Sequence, residues 1–327
     1  MLQDRYLARE ASEMSARRPS ILVIGSMNMD LVIRGLDRVP EWGETVFAES
    51  HFTSVGGKGA NQAIAAAKQG ADVYMVGCIG EDPNGHQILS KLEQSGVHTD
   101  YVECRQDTWT GLATINIGPS GRYFSVCSMG GNMRLDTGNF ERALDEQAFD
   151  LIEMQLEMPL ETAYRVYEIA RQHDTKVFLD AGPAMSIPLE RFKGIYVISP
   201  NEAETEALTG INPGSEKKAL DAAQKLYEMS EPEHVLLKLG ERGALLYDAK
   251  QAEFIPPFKV KAIDTTAAGD TFGAAFGVQI CKGADIVEAV KFAHAAAGIC
   301  VGRRGGQPSI PTEEEVKVFL ETWNGDR

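Results

Sequence analysis

The sequence predicts a three-layer α/β/α fold, with a central, mainly parallel sheet, helices on both faces and a small β lid. Three observations carry this. Short apolar runs closed by Gly alternate with Ala-rich stretches of helical length, the pattern of repeated βα units. The stretch from Gly111 to Cys127 interrupts that alternation with β-rich pieces that no βα unit uses. The chain has 327 residues, 43% of them hydrophobic, enough for one large domain with a full core.

Taken in order, residues 1–19 are polar and charged and read as a mobile leader. Ile21-Leu22-Val23-Ile24-Gly25 is a buried strand, and Leu31 to Arg34 a second one. Ala60 to Gln69 is a helix stopped by Gly70, Val73 to Val76 a strand, and Gly85 to Gln94 a helix stopped by Gly96. Ala113 to Ile117 and Arg122 to Val126 form a hairpin around Gly118-Pro119-Ser120-Gly121. The alternation then returns: helix 139–147, strand 150–155, helix 160–173, strand 176–180, strand 195–198, helices 201–209 and 216–229, and strand 234–239. A hairpin over 243–256 and helices at 269–281, 285–301 and 312–322 complete the chain. The early β segments, near 31–55 and 111–127, do not fit the main sheet and are assigned to the lid.

A net charge of −15 argues against non-specific binding to nucleic acid or to an anionic membrane. No apolar run reaches transmembrane length. Cys78, Cys104, Cys127, Cys281 and Cys300 are dispersed and odd in number, and read as reduced, mostly buried thiols of a cytoplasmic protein. The six histidines form no zinc-ligand cluster.

The most informative segment is Asp264-Thr265-Thr266-Ala267-Ala268-Gly269-Asp270. Small residues open an apolar helix here, and Ala267, Ala268 and Gly269 make its first turn, where backbone N–H groups lack helical partners. Such a turn either packs closely or holds an anion at the positive end of the helix dipole. In the first case Asp270 complements the dipole; in the second it sits beside a phosphate, where a carboxylate serves to take a proton. Ser54 to Gln62 is a second Gly-rich segment. It is no Walker A loop, since Gly follows Lys58, and the GxGxxG of dinucleotide-binding enzymes is absent after the first strand. Lys58 and Asn61 offer donors for sugar hydroxyls or a phosphoryl group; the alternative is a tight turn before a helix. Asn28 and Asp30 point to one side of an extended chain and suit vicinal hydroxyls, or serve a turn. Glu157 follows a strand and faces either a cleft or solvent. Asn201 caps a helix or, with Glu204, organises phosphates and the hydration shell of magnesium. Leu239 to Gly243 is a nucleotide contact or a plain turn, and Arg303 to Ser309 a cation loop or a surface loop.

These segments, in this order, resemble the ribokinase-like sugar kinases, also called the phosphofructokinase-B family, from about Ile21 to Pro311. Gly56 to Ala63 is similar to the family's first signature and Asp264 to Asp270 to its second. Asn28-x-Asp30, Glu157, Pro200-Asn201-Glu202, Gly240 to Gly243, His294 to Ala297 and Gly305 to Ser309 fall where the family has equivalents. Within the family, the form of the first signature points to ribose-phosphorylating members. The resemblance implies ATP-dependent phosphorylation of D-ribose to ribose 5-phosphate by a domain over 20–327, with Asp270 as general base and Ala267, Ala268 and Gly269 as anion hole. It implies Asn28, Asp30, Gly57, Lys58, Gly59, Asn61 and Glu157 as sugar-binding residues. Asn201, Lys238, Gly240, Glu241, Arg242, Gly243, Gly269 and His294 would face ATP. Asp264, Thr266, Cys300, Arg303, Gly305 and Ser309 would line a K⁺ site, several through carbonyls, and Glu204 would reach Mg²⁺ through water. The lid would close over the sugar and pair two subunits.

Some positions depart from the family's common pattern. Lys238 replaces a Thr and Gly273 an Asn, Met129-Gly130-Gly131-Asn132 stands for Gly-Ala-Asn, and Arg122-Tyr123-Phe124 is bulkier than usual. Lid residues touch the acceptor, so a kinase for 2-deoxyribose, another sugar or a nucleoside is the nearest alternative. A non-catalytic sugar-binding regulator is a more distant one, and a Rossmann dehydrogenase lacks its phosphate fingerprint.

Overall fold

In the computed structural model, which describes residues 17–118 and 122–323, the apolar runs become β1 (Ser20–Ile24), β4 (Asp72–Gly80), β8 (Leu151–Gln155), β9 (Val177–Asp180), β10 (Val197–Ser199) and β11 (His234–Lys238). With β5 (Val97–Arg105), β12 (Ala244–Tyr247) and β13 (Ala252–Ile255) they make a nine-stranded sheet, ordered β13-β12-β11-β10-β9-β8-β1-β4-β5. Neighbours from β5 to β11 are parallel, and β12 and β13 add an antiparallel hairpin at one edge. The centre of this sheet is buried on both faces, which explains the continuous apolar runs. Along β1 the side chains alternate between two cores, Ile21 and Val23 on one face and Leu22 and Ile24 on the other. The first core is covered by α1 (Lys58–Lys68), α2 (Pro83–Gln94), α7 (Ala268–Cys281), α8 (Ile286–Val301) and α9 (Glu313–Thr322). The second is covered by α3 (Gly138–Glu146), α4 (Leu160–Gln172), α5 (Glu202–Thr209) and α6 (Glu216–Ser230).

A separate four-stranded sheet, β3-β2-β6-β7, is built from β2 (Asn28–Arg34), β3 (Ser50–Gly56), β6 (Gly111–Ile117) and β7 (Tyr123–Ser128). It uses the segments assigned to the lid. The turn residues 119–121 of its hairpin lie outside the described residues, as do residues 1–16 of the expected leader. Residues 17–19 depart from the leader reading. Arg17 pairs with Asp150 through contacts of 2.5 and 2.7 Å, and the Pro19 carbonyl accepts from the Asp72 amide, so this end of the segment docks on the sheet.

β5 has no counterpart in the sequence reading. It is an edge strand on which only Val97 and Tyr101 are buried, and its register slips against β4 between Tyr74 and Val76. A period-2 signal cannot arise from that burial. The cysteines are also more open than their apolar character suggests: Cys78 and Cys300 are buried, but Cys104 and Cys127 are exposed.

Candidate active site

The carboxyl ends of β1, β8, β9, β10 and β11 share one edge of the sheet. The strand order reverses at β1, which lies between β4 and β8. Ligands of open α/β sheets bind at such an edge, beside the reversal.

Gly56 to Gln62 forms the end of β3 and the start of α1. Gly57 precedes the helix at φ 89°, and a Cβ there would stand 2.8 Å from the Asn28 nitrogen. A glycine is needed for the loop to lie against the chain leaving β1. Gly59 packs as closely, its Cβ position being 2.8 Å from the Ser26 nitrogen. Lys58 and Asn61 are three apart on α1 and share a face. Asn61 Nδ2 donates to Asp270 Oδ2 at 2.9 Å, and Lys58 Nζ lies 3.9 Å from Asp270 Oδ1.

Asp270 belongs to the first turn of α7 and is buried. The helix starts at Ala268, one residue before the expected 269, and Ala267, read as part of its first turn, is instead its N-cap, in the left-handed region at φ 61°, so that Ala268 and Gly269 precede Asp270 within it. Such a backbone is strained for a residue with a Cβ, and strain of this kind gathers at working sites. The Ala268 amide donates to the Thr265 carbonyl at 3.2 Å. The amides of Gly269 and Asp270 have no acceptor among the described residues. Asp270 Oδ1 is buried and unpartnered as well. Burial pushes this carboxyl up to about 6, against the pull of Lys58 and with help from the Asp180 charge.

On the lid side, Asn28 Oδ1 accepts from Asn132 Nδ2 at 2.7 Å, and Asn132 Oδ1 accepts from the Met27 amide at 2.9 Å. Asp30 stands in register with Ser54 and Ala113, and Ala113 with Cys127. Alternate strand residues share a face, so these side chains line one face of the lid. Burial, then the charges of Glu157 and Asp270, raise the Asp30 carboxyl to about 7. Glu157 lies two residues past β8 and accepts from Ser26 Oγ at 2.5 Å.

On the opposite side, Asn201 caps α5. Its Oδ1 accepts from the Glu204 amide at 2.9 Å, and Glu204 Oε2 accepts from the Asn201 amide at 2.7 Å. One oxygen of buried Glu204 is thus committed to the cap. Gly240, Glu241 and Arg242 form a tight turn after β11, with Arg242 paired to Glu202 and to the Pro213 carbonyl. A Cβ on Gly243 would stand 2.2 Å from the Ile255 carbonyl. His294 packs edge-on against Phe272 at 5.2 Å, and its Nε2 has no partner. Burial lowers this imidazole to about 4, so it is neutral.

The loop residues read as a cation site also converge. Asp264 Oδ1 accepts from the Thr266 amide and hydroxyl at 3.0 and 2.7 Å, and its Oδ2 from the Gly305 amide at 3.0 Å. Ser309 Oγ donates to the Gly306 carbonyl at 2.6 Å and lies 3.0 Å from Cys300 Sγ, which in turn is 3.6 Å from the Thr266 carbonyl. The Arg303 side chain turns away to Glu315.

Three participants escaped the sequence reading. Asp180, the last residue of β9, is buried and binds both Lys58 and Lys238. The signal was available: like Glu157 it is an acid leaving an apolar strand, followed by Ala181-Gly182-Pro183. Glu153, in the middle of β8, is fully enclosed with both carboxylate oxygens unpartnered. Burial and then the charges of Asp180 and Asp270 raise it to about 8, so it is protonated at neutral pH. Asn132, which in the sequence only departs from the family's pattern, is the partner of Asn28.

A family profile described as pfkB family carbohydrate kinase matches residues 18–313. The chain is 36% identical to the ribokinase of Haemophilus influenzae over 305 residues, 93% of this chain and 99% of that one. It is 33% identical to the deoxyribokinase of Salmonella typhi over 302 residues, 92% of this chain and 98% of that one. The structure is similar to that of Arabidopsis thaliana ribokinase complexed with ribose and ATP, with a TM-score of 0.87 at 32% identity, over 94% of this chain and all of that one.

Proposed function

The chain belongs to the pfkB family of carbohydrate kinases, and we propose that it transfers the γ-phosphoryl group of ATP to the primary hydroxyl of D-ribose, giving ribose 5-phosphate and ADP. The observation that supports this best is the state of Asp270. A buried carboxylate keeps one oxygen on Asn61 and leaves the other unpartnered, beside a lysine and at a helix N-terminus without a side-chain cap. An acid so placed takes the proton of the attacking hydroxyl through Oδ1, while Asn61 holds its orientation. The free amides of Gly269 and Asp270 accept the charge gathering on the transferred group. Of the amides in the anion hole read at Ala267 to Asp270, the Thr265 carbonyl takes that of Ala268, while those of Ala267, Gly269 and Asp270 have no acceptor among the described residues.

Asn28, Asp30, Gly57, Lys58, Gly59, Asn61 and Glu157 hold the sugar, with Asp30 on the vicinal hydroxyls. Lid closure keeps water from competing as the acceptor. Asn201, Lys238, the turn from Gly240 to Gly243, Gly269 and His294 form the nucleotide side. Glu204, a hard oxygen donor with one oxygen outside its cap, would hold a water of the hydration shell of Mg²⁺, which would come with ATP and supply charge neutralisation at its phosphates. The 264–309 loops would hold K⁺ through oxygen donors such as the Thr266 carbonyl, where it would supply positive charge beside the start of α7. The Asp264 carboxylate, satisfied by three loop donors, holds those loops in shape. The kinase domain read over 20–327 also takes in residues 17–19, which dock on the sheet, and two subunits pair through their lids, a reading supported by exposed Phe52 and Val126 on the lid strands and Phe47 beside them. The protein acts in the cytoplasm; among the described residues no helix is long and apolar enough to cross a membrane.

The Salmonella typhi relative supports a second reading, phosphorylation of 2-deoxyribose. Asp30 separates the two, because a sugar lacking one vicinal hydroxyl leaves a buried carboxylate short of a donor, worth about 1–3 kcal/mol. The test is ADP release from Mg-ATP against pentoses, hexoses and nucleosides, with K⁺ or Na⁺. Turnover favouring ribose over 2-deoxyribose at least tenfold, and raised by K⁺, is expected. Equal kcat/KM for both sugars would remove the ribose assignment and leave the kinase in place.

A further inference from the structure

Asp180 stands where the sugar and nucleotide sides meet, and the mechanism above gives it no part. Its Oδ2 accepts from Lys58 Nζ at 2.9 Å and from Gln62 Nε2 at 3.2 Å, while its Oδ1 accepts from Lys238 Nζ. Burial opposes its charge, but Lys238 and Lys58 hold the carboxyl well below the usual carboxylate range. Each lysine has a second neighbour. That of Lys58 is Asp270, at 3.9 Å. That of Lys238 is Gly269: its Nζ lies 3.9 Å from the point where a Cβ on Gly269 would stand. The two ammonium groups therefore flank the uncapped start of α7, and one carboxylate holds both.

We propose that Asp180 is a positioning residue that sets Lys58 and Lys238 as a two-pronged cradle for the phosphoryl group in transit, with Lys238 as the prong on the nucleotide side. The proposal rests on the kinase reading of the site but not on the identity of the acceptor. Its physical basis is preorganisation. Asp180 and Asp270, with Glu204 also near Lys58, offset the charge of the two lysines before a nucleotide arrives, and the side chains are already aimed and largely out of water. An incoming polyanion competes with Asp180 for cations that need not be gathered from solvent. Stability alone is a poor account of the arrangement, since buried ion pairs seldom outperform apolar packing of the same volume. The replacement of Thr by Lys at 238 also gains a reason, because the second cation has a buried partner prepared for it.

The test is calorimetric binding of the Mg²⁺ complex of a non-hydrolysable ATP analogue, and of AMP, to the full chain, which needs no acceptor. Lys238→Met and Asp180→Asn are each expected to weaken the triphosphate analogue about tenfold or more and to leave AMP within about twofold. The double variant is expected to bind the analogue more weakly than Lys238→Met, through Lys58, but with a loss well short of the product of the two single losses, because the part of Asp180 that acts through Lys238 is already gone. The double variant removes one buried cation and one buried anion together, so it remains informative if Asp180→Asn alone does not fold. Unchanged analogue binding in Lys238→Met, equal losses for AMP and the analogue, or a double variant whose loss equals the product of the two single losses would each overturn the proposal while leaving the kinase reading standing. A wild-type protein that binds neither nucleotide would remove both.

Discussion

Helix α9 begins at Thr312, whose hydroxyl accepts from the Glu315 amide while the Glu315 carboxylate accepts from the Thr312 amide. Helix α7, in the same layer, begins at left-handed Ala267 with no side chain on its amides. Both have acid in the first turn. In α9 it is Glu313, Glu314 and Glu315, of which Glu315 is consumed by the cap and by Arg303. In α7 it is Asp270 alone, buried, with one oxygen unpartnered. The same dipole favours an anion at either end. One end meets its third amide with the Thr312 hydroxyl and adds stability; the other has no side chain on its amides, which the proposed mechanism uses for the transferred group. A strained first turn without a side-chain cap thus separates the helix proposed to work from the other better than the presence of an acid does.

The sharpest way to break this contrast is Asp270→Asn. Turnover should fall on the order of 10²–10⁴-fold in a sugar-dependent ADP assay. Its melting temperature at pH 7 should be unchanged or higher, because burial already disfavours the charge that the substitution removes. A variant that loses stability along with activity would make Asp270 an ordinary first-turn acid.

The pH profile comes next. A base near 6 is increasingly protonated below that value, so kcat should drop about tenfold per unit below about 6 and level off above it. Burial raises the Asp30 carboxyl to about 7, and the proposed sugar hydroxyls would donate to its charged form, so KM for the sugar should fall as pH rises through about 7. A kcat flat down to pH 5 would leave Asp270 without the role of base.

At the other helix the expected effect is smaller and of another kind. Thr312→Ala should cost about 1 kcal/mol in denaturant unfolding and leave kcat unchanged. A fall in kcat would mean that α9 feeds the site, through Arg303 or the loop before it. Smallest of all, Ala267→Gly relieves the left-handed strain but loosens the unfolded chain, so stability should move by no more than about 0.5 kcal/mol and turnover by about twofold. A tenfold loss of turnover would show that the methyl group itself holds the amides in place.

Much of the molecule was legible without its fold. The apolar runs of β1, β8 and β11 mark themselves because strands buried on both faces need no alternation. Asp270 and Lys58 were marked by glycines and small residues crowded next to them. The edge strand β5 was silent, because half-exposed residues leave no period to read. Asp180 was passed over because a single acid after a strand resembles an ordinary turn residue. Glu153 was hidden because an apolar run that includes one acid suggests an exposed position, whereas Gly277 of α7 packs against its carboxyl.

The sequence by itself determined the layered α/β architecture, the two helix starts that face the site, and the family. Each depends on residues near one another in the chain, whose periodicity and backbone freedom act locally. Only the tertiary structure decided that Lys58, Asp180 and Lys238 form one cluster, that Asn28 rests on Asn132, and that Asp30, Glu153 and Asp270 are pushed to different protonation behaviour. Charge coupling and desolvation depend on distance in space and on what covers a group, and the chain order of residues 58, 180 and 238 carries neither.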